Sequence, residues 1–115
     1  MKRFYSEEFV GRFPDDIELT QVSRTVGEDR VIDELIISFT HEIEIPALLP
    51  GVQPTGKRVE LALVVVMGFK GGKVAYEHIY WDQGSLLVQV GLVDPSGLPV
   101  VGAEQAAKLR ELTGV

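Results

Sequence analysis

A chain of 115 residues, 45% hydrophobic and 24% charged, fits one globular domain over residues 1–115. Its formal net charge of -6 disfavours nucleic-acid binding, because an acidic protein repels phosphate backbones. There is no cysteine, which excludes disulfides and thiolate chemistry and leads us to expect a cytoplasmic location.

The N-terminal third begins with a predicted short helix over residues 2–10, which ends at Gly11 and Pro14. Acidic residues interrupt this stretch, so it lacks the apolar region of a signal peptide, and no export is expected. Residues 19–23 allow a short strand.

The first strong strand signal covers residues 30–45, which are rich in β-branched and aromatic side chains. Alternation gives it one nearly apolar face, which also carries His41, and one more polar face, as in a half-buried antiparallel strand. Its length makes a bulge plausible. Residues 46–56 hold three prolines and two glycines and are predicted to form a loop.

A second long strand is predicted over residues 57–69. Its longest apolar run, residues 61–67, is too short to cross a membrane. Gly71 and Gly72 predict a hairpin turn, because both accept positive φ. Residues 73–82 form the returning strand.

The C-terminal part contains a predicted helical turn capped by Gly91, then a tail over residues 93–115 that ends in a helix over residues 103–112. Strands therefore occupy the centre and helices the ends. This arrangement predicts an α+β fold with a curved antiparallel sheet, and a helix across the concave side would leave a cleft.

Three segments resemble the SnoaL-like branch of the nuclear transport factor 2-like superfamily. They are Pro-Gly-Val-Gln-Pro-Thr-Gly-Lys at 50–57, Gly-Lys-Val-Ala-Tyr-Glu-His-Ile-Tyr-Trp-Asp-Gln at 72–83, and Leu-Leu-Val-Gln-Val-Gly at 86–91. Their order and spacing agree with the family over residues 1 to about 92. The resemblance implies a cone-like, cystatin-like roll of few helices around a pocket for a small apolar ligand, with no cofactor.

The sequence departs from this family at its start, where two further helices and a short strand usually precede the helix matched by residues 2–10. Either translation begins upstream of Met1, or a second subunit closes the cavity. The second alternative predicts an exposed apolar surface and a homodimer.

Acid/base chemistry is suggested by the returning strand, where His78, Tyr80 and Asp82 alternate onto one face, which we expect to point towards the enclosed cavity. The resemblance implies that the Asp at the end of this strand belongs to the acid/base machinery of cyclases and of limonene epoxide hydrolase. His41, on the neighbouring strand, would be a further hydrogen-bonding partner. Phe39 and His41 stand where the hydrolase carries an Arg–Asp pair, which puts epoxide hydrolysis by that route in doubt.

Each of these candidates also has a structural interpretation. Asp82 precedes a helical turn and is a natural N-cap. His78 fits a packed or surface strand position, His41 a hydrogen-bonded core histidine, and Tyr80 an aromatic core residue. A structural ion pair of Arg24 with Asp33 or Glu34 is favoured over an anion site.

Two functions therefore stay open. One is a cofactor-independent lyase, isomerase or hydrolase acting on a small apolar carbonyl or cyclic compound. The other is a non-catalytic ligand-binding or dimerisation module of the same fold. Neither a metal site nor a phosphate-binding loop is expected, because the two histidines lack HxH or HxxxH spacing and no GxxxxGK[ST] motif is present.

Overall fold

The structure, a computed structural model, describes residues 13–115 as four strands followed by two helices. The predicted helix over residues 2–10 lies outside the described residues. The elements are β1 (Glu18–Val26), β2 (Arg30–Thr40), β3 (Arg58–Lys70), β4 (Lys73–Trp81), α1 (Gln83–Gln89) and α2 (Glu104–Thr113). None of the described helices is long and apolar enough to cross a membrane.

The strands form one open, curved antiparallel sheet in the order β1-β2-β3-β4, which confirms the predicted α+β class. Gly71 and Gly72 join β3 to β4 with φ of 61° and 76°, as predicted for a two-residue hairpin loop. The strand predicted over residues 30–45 is β2, and the prediction of its end was wrong, because β2 ends at Thr40. Irregular pairing occurs instead in β1, between Gln21 and Ser23, and in β3, between Gly68 and Phe69.

Alternation gives the sheet two different faces. The face that we call the core face carries the side chains of Leu35, Ile37, Phe39, Val59, Leu61, Leu63, Val65 and Met67, all buried. They pack with Phe13, Ile45, Leu48, Leu49, Leu86 and Val90 into one hydrophobic cluster. The opposite, outer face carries Ile32, Glu34, Val64, Val66, Gly68, Tyr76, His78 and Tyr80.

Helix α1 continues the sheet where β4 ends. Beyond Trp81 no strand within residues 13–115 pairs with the β4 side of β3, so the backbone of Glu60 needs other partners there. The side-chain amide of Gln89 supplies them: its Oε1 accepts from Glu60 N–H and its Nε2 donates to Glu60 C=O, both at 2.8 Å. Gln89 is the glutamine of the Leu-Leu-Val-Gln-Val-Gly segment, so this segment closes the edge of the sheet.

The C-terminal tail is tied to the rest of the fold, and its predicted helix is confirmed as α2. Ser85 Oγ donates to Gly102 C=O at 2.6 Å, and Arg110 Nε donates to Glu60 Oε1 at 3.1 Å. Glu60 lies on the outer face, directly across from the buried Ser38. Helix α2 therefore lies at this end of the outer face.

Candidate functional site

His78 and Tyr80 lie side by side on the outer face of β4, across from Val66 and Val64 respectively. The ring of His78 stacks on that of Tyr76 with centroids 4.8 Å apart, and Tyr80 is 61% exposed. Strand alternation instead turns Ile79 and Trp81 towards the hydrophobic cluster. The predicted placement of His78 and Tyr80 towards an enclosed cavity is therefore corrected: these side chains point away from the core.

Asp82 is the N-cap of α1 and follows the last residue of β4. Its Oδ1 accepts from Ser85 N–H at 3.1 Å, and its Oδ2 accepts from the Gln105 side-chain amide at 2.6 Å. The capping interpretation of Asp82 is thus confirmed. Since β4 ends at Trp81, Asp82 does not continue the outer face of His78 and Tyr80, as alternation had predicted.

His41 is fully buried at the end of β2, among the largest buried side chains of the core. Its Nδ1 accepts from Thr55 N–H at 3.2 Å and lies 2.9 Å from Thr55 Oγ1. Burial lowers the pKa of His41 from its ordinary value, because the charged form of the ring loses its solvation. No described residue pairs with its Nε2, which is also buried.

A buried ion pair lies at the other end of the core face, where the predicted pairing of Arg24 with Asp33 is confirmed. Arg24 Nε and Nη2 each donate to one oxygen of Asp33 at 2.7 Å, a two-pronged geometry that fixes both side chains. The Asp33 side chain is 0% exposed and that of Arg24 is 32% exposed. Sequence reasoning found the pair but gave it no place in the site.

Distance along β2 shows that the four predicted site residues do not form one cluster. His78 pairs through Val66 with Ile32, nine positions before His41, and nine extended residues span roughly 30 Å. Tyr80 is level with Glu34, roughly 23 Å from His41 on the same scale. His41 therefore lies apart from His78 and Tyr80.

A surface groove of about 520 Å³ lies between α1, residues 95–103 and the start of α2. Its lining includes Val88, Pro95, Val100, Ala107, Arg58 and Glu104, and none of the four predicted site residues. Sequence reasoning missed it because most of the lining comes from the tail, which lies beyond the family resemblance. Among the described residues, no three His, Asp or Glu side chains are grouped to hold a metal ion.

Comparison with known proteins gives solved structures of the same fold. One is AclR of Streptomyces galilaeus, a proposed hydroxylase. It is 33% identical, the match covers 81% of this chain and 66% of that chain, and the TM-score is 0.61. Another is a proposed SnoaL-like polyketide cyclase of Jannaschia sp. CCS1. It is 18% identical, the match covers 68% of this chain and 51% of that chain, and the TM-score is 0.59. A third is IdmH of Streptomyces antibioticus, a proposed polyketide cyclase. It is 24% identical, the match covers 77% of this chain and 58% of that chain, and the TM-score is 0.53.

This chain thus spans between about half and just under two thirds of the length of these structures. No protein-family model and no curated protein matches it.

Proposed function

We propose that this chain, which has the SnoaL-like fold of the nuclear transport factor 2-like superfamily, binds a small uncharged molecule against its core face. In this proposal His41 donates a hydrogen bond from Nε2–H to an oxygen of the ligand. The observation that carries it is the buried Nε2 of His41, which has no partner among the described residues.

A buried donor without an acceptor is costly, which is why such groups point to an occupant. Stranding a neutral donor costs about 1–3 kcal/mol, and most buried polar groups in folded proteins avoid this by pairing. Apart from the Arg24–Asp33 ion pair at its other end, the core face of β2 and β3 is apolar, so it would hold the hydrocarbon part of a ligand while His41 fixes its oxygen.

The test compares two probes that differ only in a carbonyl group, alpha-tetralone and tetralin, by isothermal titration calorimetry. We expect the ketone to bind about fivefold more tightly, because one neutral hydrogen bond contributes about 1 kcal/mol. His41→Leu should remove this preference, whereas His78→Gln, on the exposed outer face, should keep it. Equal affinity of both probes for the wild-type chain, or an unchanged preference in His41→Leu, would refute the proposal.

A second candidate is a cofactor-independent lyase, isomerase or hydrolase with Asp82 as general acid/base. It is supported by the family resemblance at the end of β4 and by the proposed cyclase activity of two similar structures. Asp82→Asn separates its roles, because Asn caps helices as well as Asp does. If Asp82→Asn loses turnover but keeps the stability of the wild type, Asp82 takes part in catalysis. If its turnover equals that of the wild type, Asp82 acts only as a helix cap.

We propose a second copy of this chain as the partner for the outer face. Ile32, Tyr76 and Tyr80 are 37%, 38% and 61% exposed there, on a face that they share with Glu34 and His78. Exposed apolar surface rimmed by polar residues marks interaction sites, and a two-fold axis can pair such a surface with itself. Light scattering during size exclusion should give a dimer that Tyr80→Glu dissociates. Leu112→Glu, on exposed α2, is the control. A wild-type monomer at every concentration would exclude the dimer.

The cytoplasmic location and the single domain over residues 1–115 also remain proposals. Cell fractionation tests the first, and coincident unfolding transitions by fluorescence and circular dichroism test the second.

A further inference from the structure

We infer that Thr55 is a positioning residue that holds His41 as the Nε2–H tautomer. The core face therefore offers a neutral hydrogen-bond donor, which selects a ligand with an uncharged carbonyl oxygen. The tautomer follows from the geometry alone. The ligand class rests on the proposed function.

The protons around His41 Nδ1 can be assigned because one of its neighbours can only donate. The backbone N–H of Thr55 points at Nδ1 from 3.2 Å, so Nδ1 must present a lone pair. Thr55 Oγ1, 2.9 Å from the same nitrogen, accepts from Lys57 N–H at 3.3 Å, which leaves the hydroxyl proton for Nδ1. A neutral ring with Nδ1 as acceptor carries its proton on Nε2.

The backbone holds Thr55 in place beside the ring. His41 N–H donates to Lys57 C=O and Gly56 N–H donates to His41 C=O, both at 2.8 Å. Gly56 has a φ of 71°, a conformation that strains residues with a Cβ atom, and so allows the Thr-Gly-Lys turn to close on His41. The Thr-Gly-Lys segment of the family resemblance thus acquires a physical role.

The state of the ring determines which ligand oxygen suits it. A protonated imidazole would need a proton on Nδ1, where the N–H and the hydroxyl of Thr55 already converge as donors. His41 therefore stays neutral and offers a single donor, Nε2–H. A carboxylate would bring a charge into the apolar part of the core face, which is costly unless a cation pairs with it. Arg24, a cation on that face, is level with Asp33, roughly 26 Å along β2, and is already bonded to it. A ketone or ester oxygen has no such cost. An internal water could meet the same donor.

The experiment is long-range ¹H–¹⁵N NMR of the imidazole in the free protein, in three forms of the chain. In the wild type we expect the proton on Nε2 and an unprotonated, hydrogen-bonded Nδ1. Thr55→Val should move the Nδ1 resonance towards that of a free acceptor, because the hydroxyl donor is lost. Thr55→Ser, which keeps the hydroxyl, should restore it. A purely structural hydroxyl that supports only Lys57 would leave this resonance unchanged.

An Nδ1 resonance that is unchanged in Thr55→Val would overturn the inference while leaving the proposed function standing. A proton on Nδ1 of the wild type, or tighter binding of alpha-naphthoate than of alpha-tetralone, would overturn both. Adding alpha-tetralone should shift the Nε2–H signal and suppress its exchange cross-peak with water. An Nε2–H that stays in contact with water at saturating ketone would assign the donor to an internal water, against the inferred ligand class.

Discussion

Replacing Gln89 with leucine tests the interpretation that its amide stands in for the missing end of β4. Leucine retains most of the side-chain volume but removes both 2.8 Å hydrogen bonds to the backbone of Glu60. Each stranded backbone group costs about 1–3 kcal/mol, and the lower end applies because Glu60 is only half-buried. We expect the free energy of unfolding to fall by about 2 kcal/mol, a large share of the stability of a small domain.

Urea denaturation followed by circular dichroism measures this loss as a lower midpoint at an unchanged slope. Gln105→Leu is the matched control, since it removes an exposed amide that bonds to the Asp82 side chain, and should change stability by less than about 0.5 kcal/mol. If Gln89→Leu were no more harmful than Gln105→Leu, Gln89 would not be closing the edge of β3.

Three other substitutions test separate parts of the account. Asp82→Ala should cost about 1 kcal/mol by thermal or urea denaturation through loss of the cap, and Asp82→Asn much less; equal costs would argue against capping. Gly68→Ala should destabilise the sheet, because a methyl group there overlaps the Tyr76 ring, and adding Tyr76→Ala should recover part of the loss; no recovery would refute that contact. Burial lowers the pKa of His41 in the folded state, so the unfolded state takes up this proton at a higher pH than the folded state does. The free energy of unfolding should therefore fall as the pH is lowered from 7 to 5.5, by at most about 1.4 kcal/mol per pH unit. This slope should weaken in His41→Leu but not in His78→Gln; equal slopes in all three chains would contradict it.

The sequence was sufficient for the sheet but not for the orientation of its faces. β-Branched alternation and the Gly71-Gly72 pair predicted three strands and their hairpin, all of which are present, although β2 ends five residues before the predicted residue 45. On β4 both faces mix aromatic, aliphatic and polar side chains, so alternation could group His78 with Tyr80 without showing which face meets the core. That choice depends on α1 and on the loop after β2, and this loop is distant from β4 in sequence.

The end of β2 and the site around His41 also depend on contacts that no local pattern reveals. The strand stops at Thr40 because His41 bonds through its backbone to Gly56 and Lys57, across the loop. The same closure places Thr55 on the imidazole. Sequence reasoning named His41 as a hydrogen-bonding group, but could not assign its donor or separate it from Asp82.

The central claim is that a ligand contacts the core face, and methyl-resolved NMR during titration with alpha-tetralone tests it most directly. We predict shift changes for the methyl groups of Ile37, Leu61 and other core-face residues, with those of Val64 and Val66 on the outer face unmoved. Changes confined to Val64 and Val66, or none at any ketone concentration, would contradict the claim.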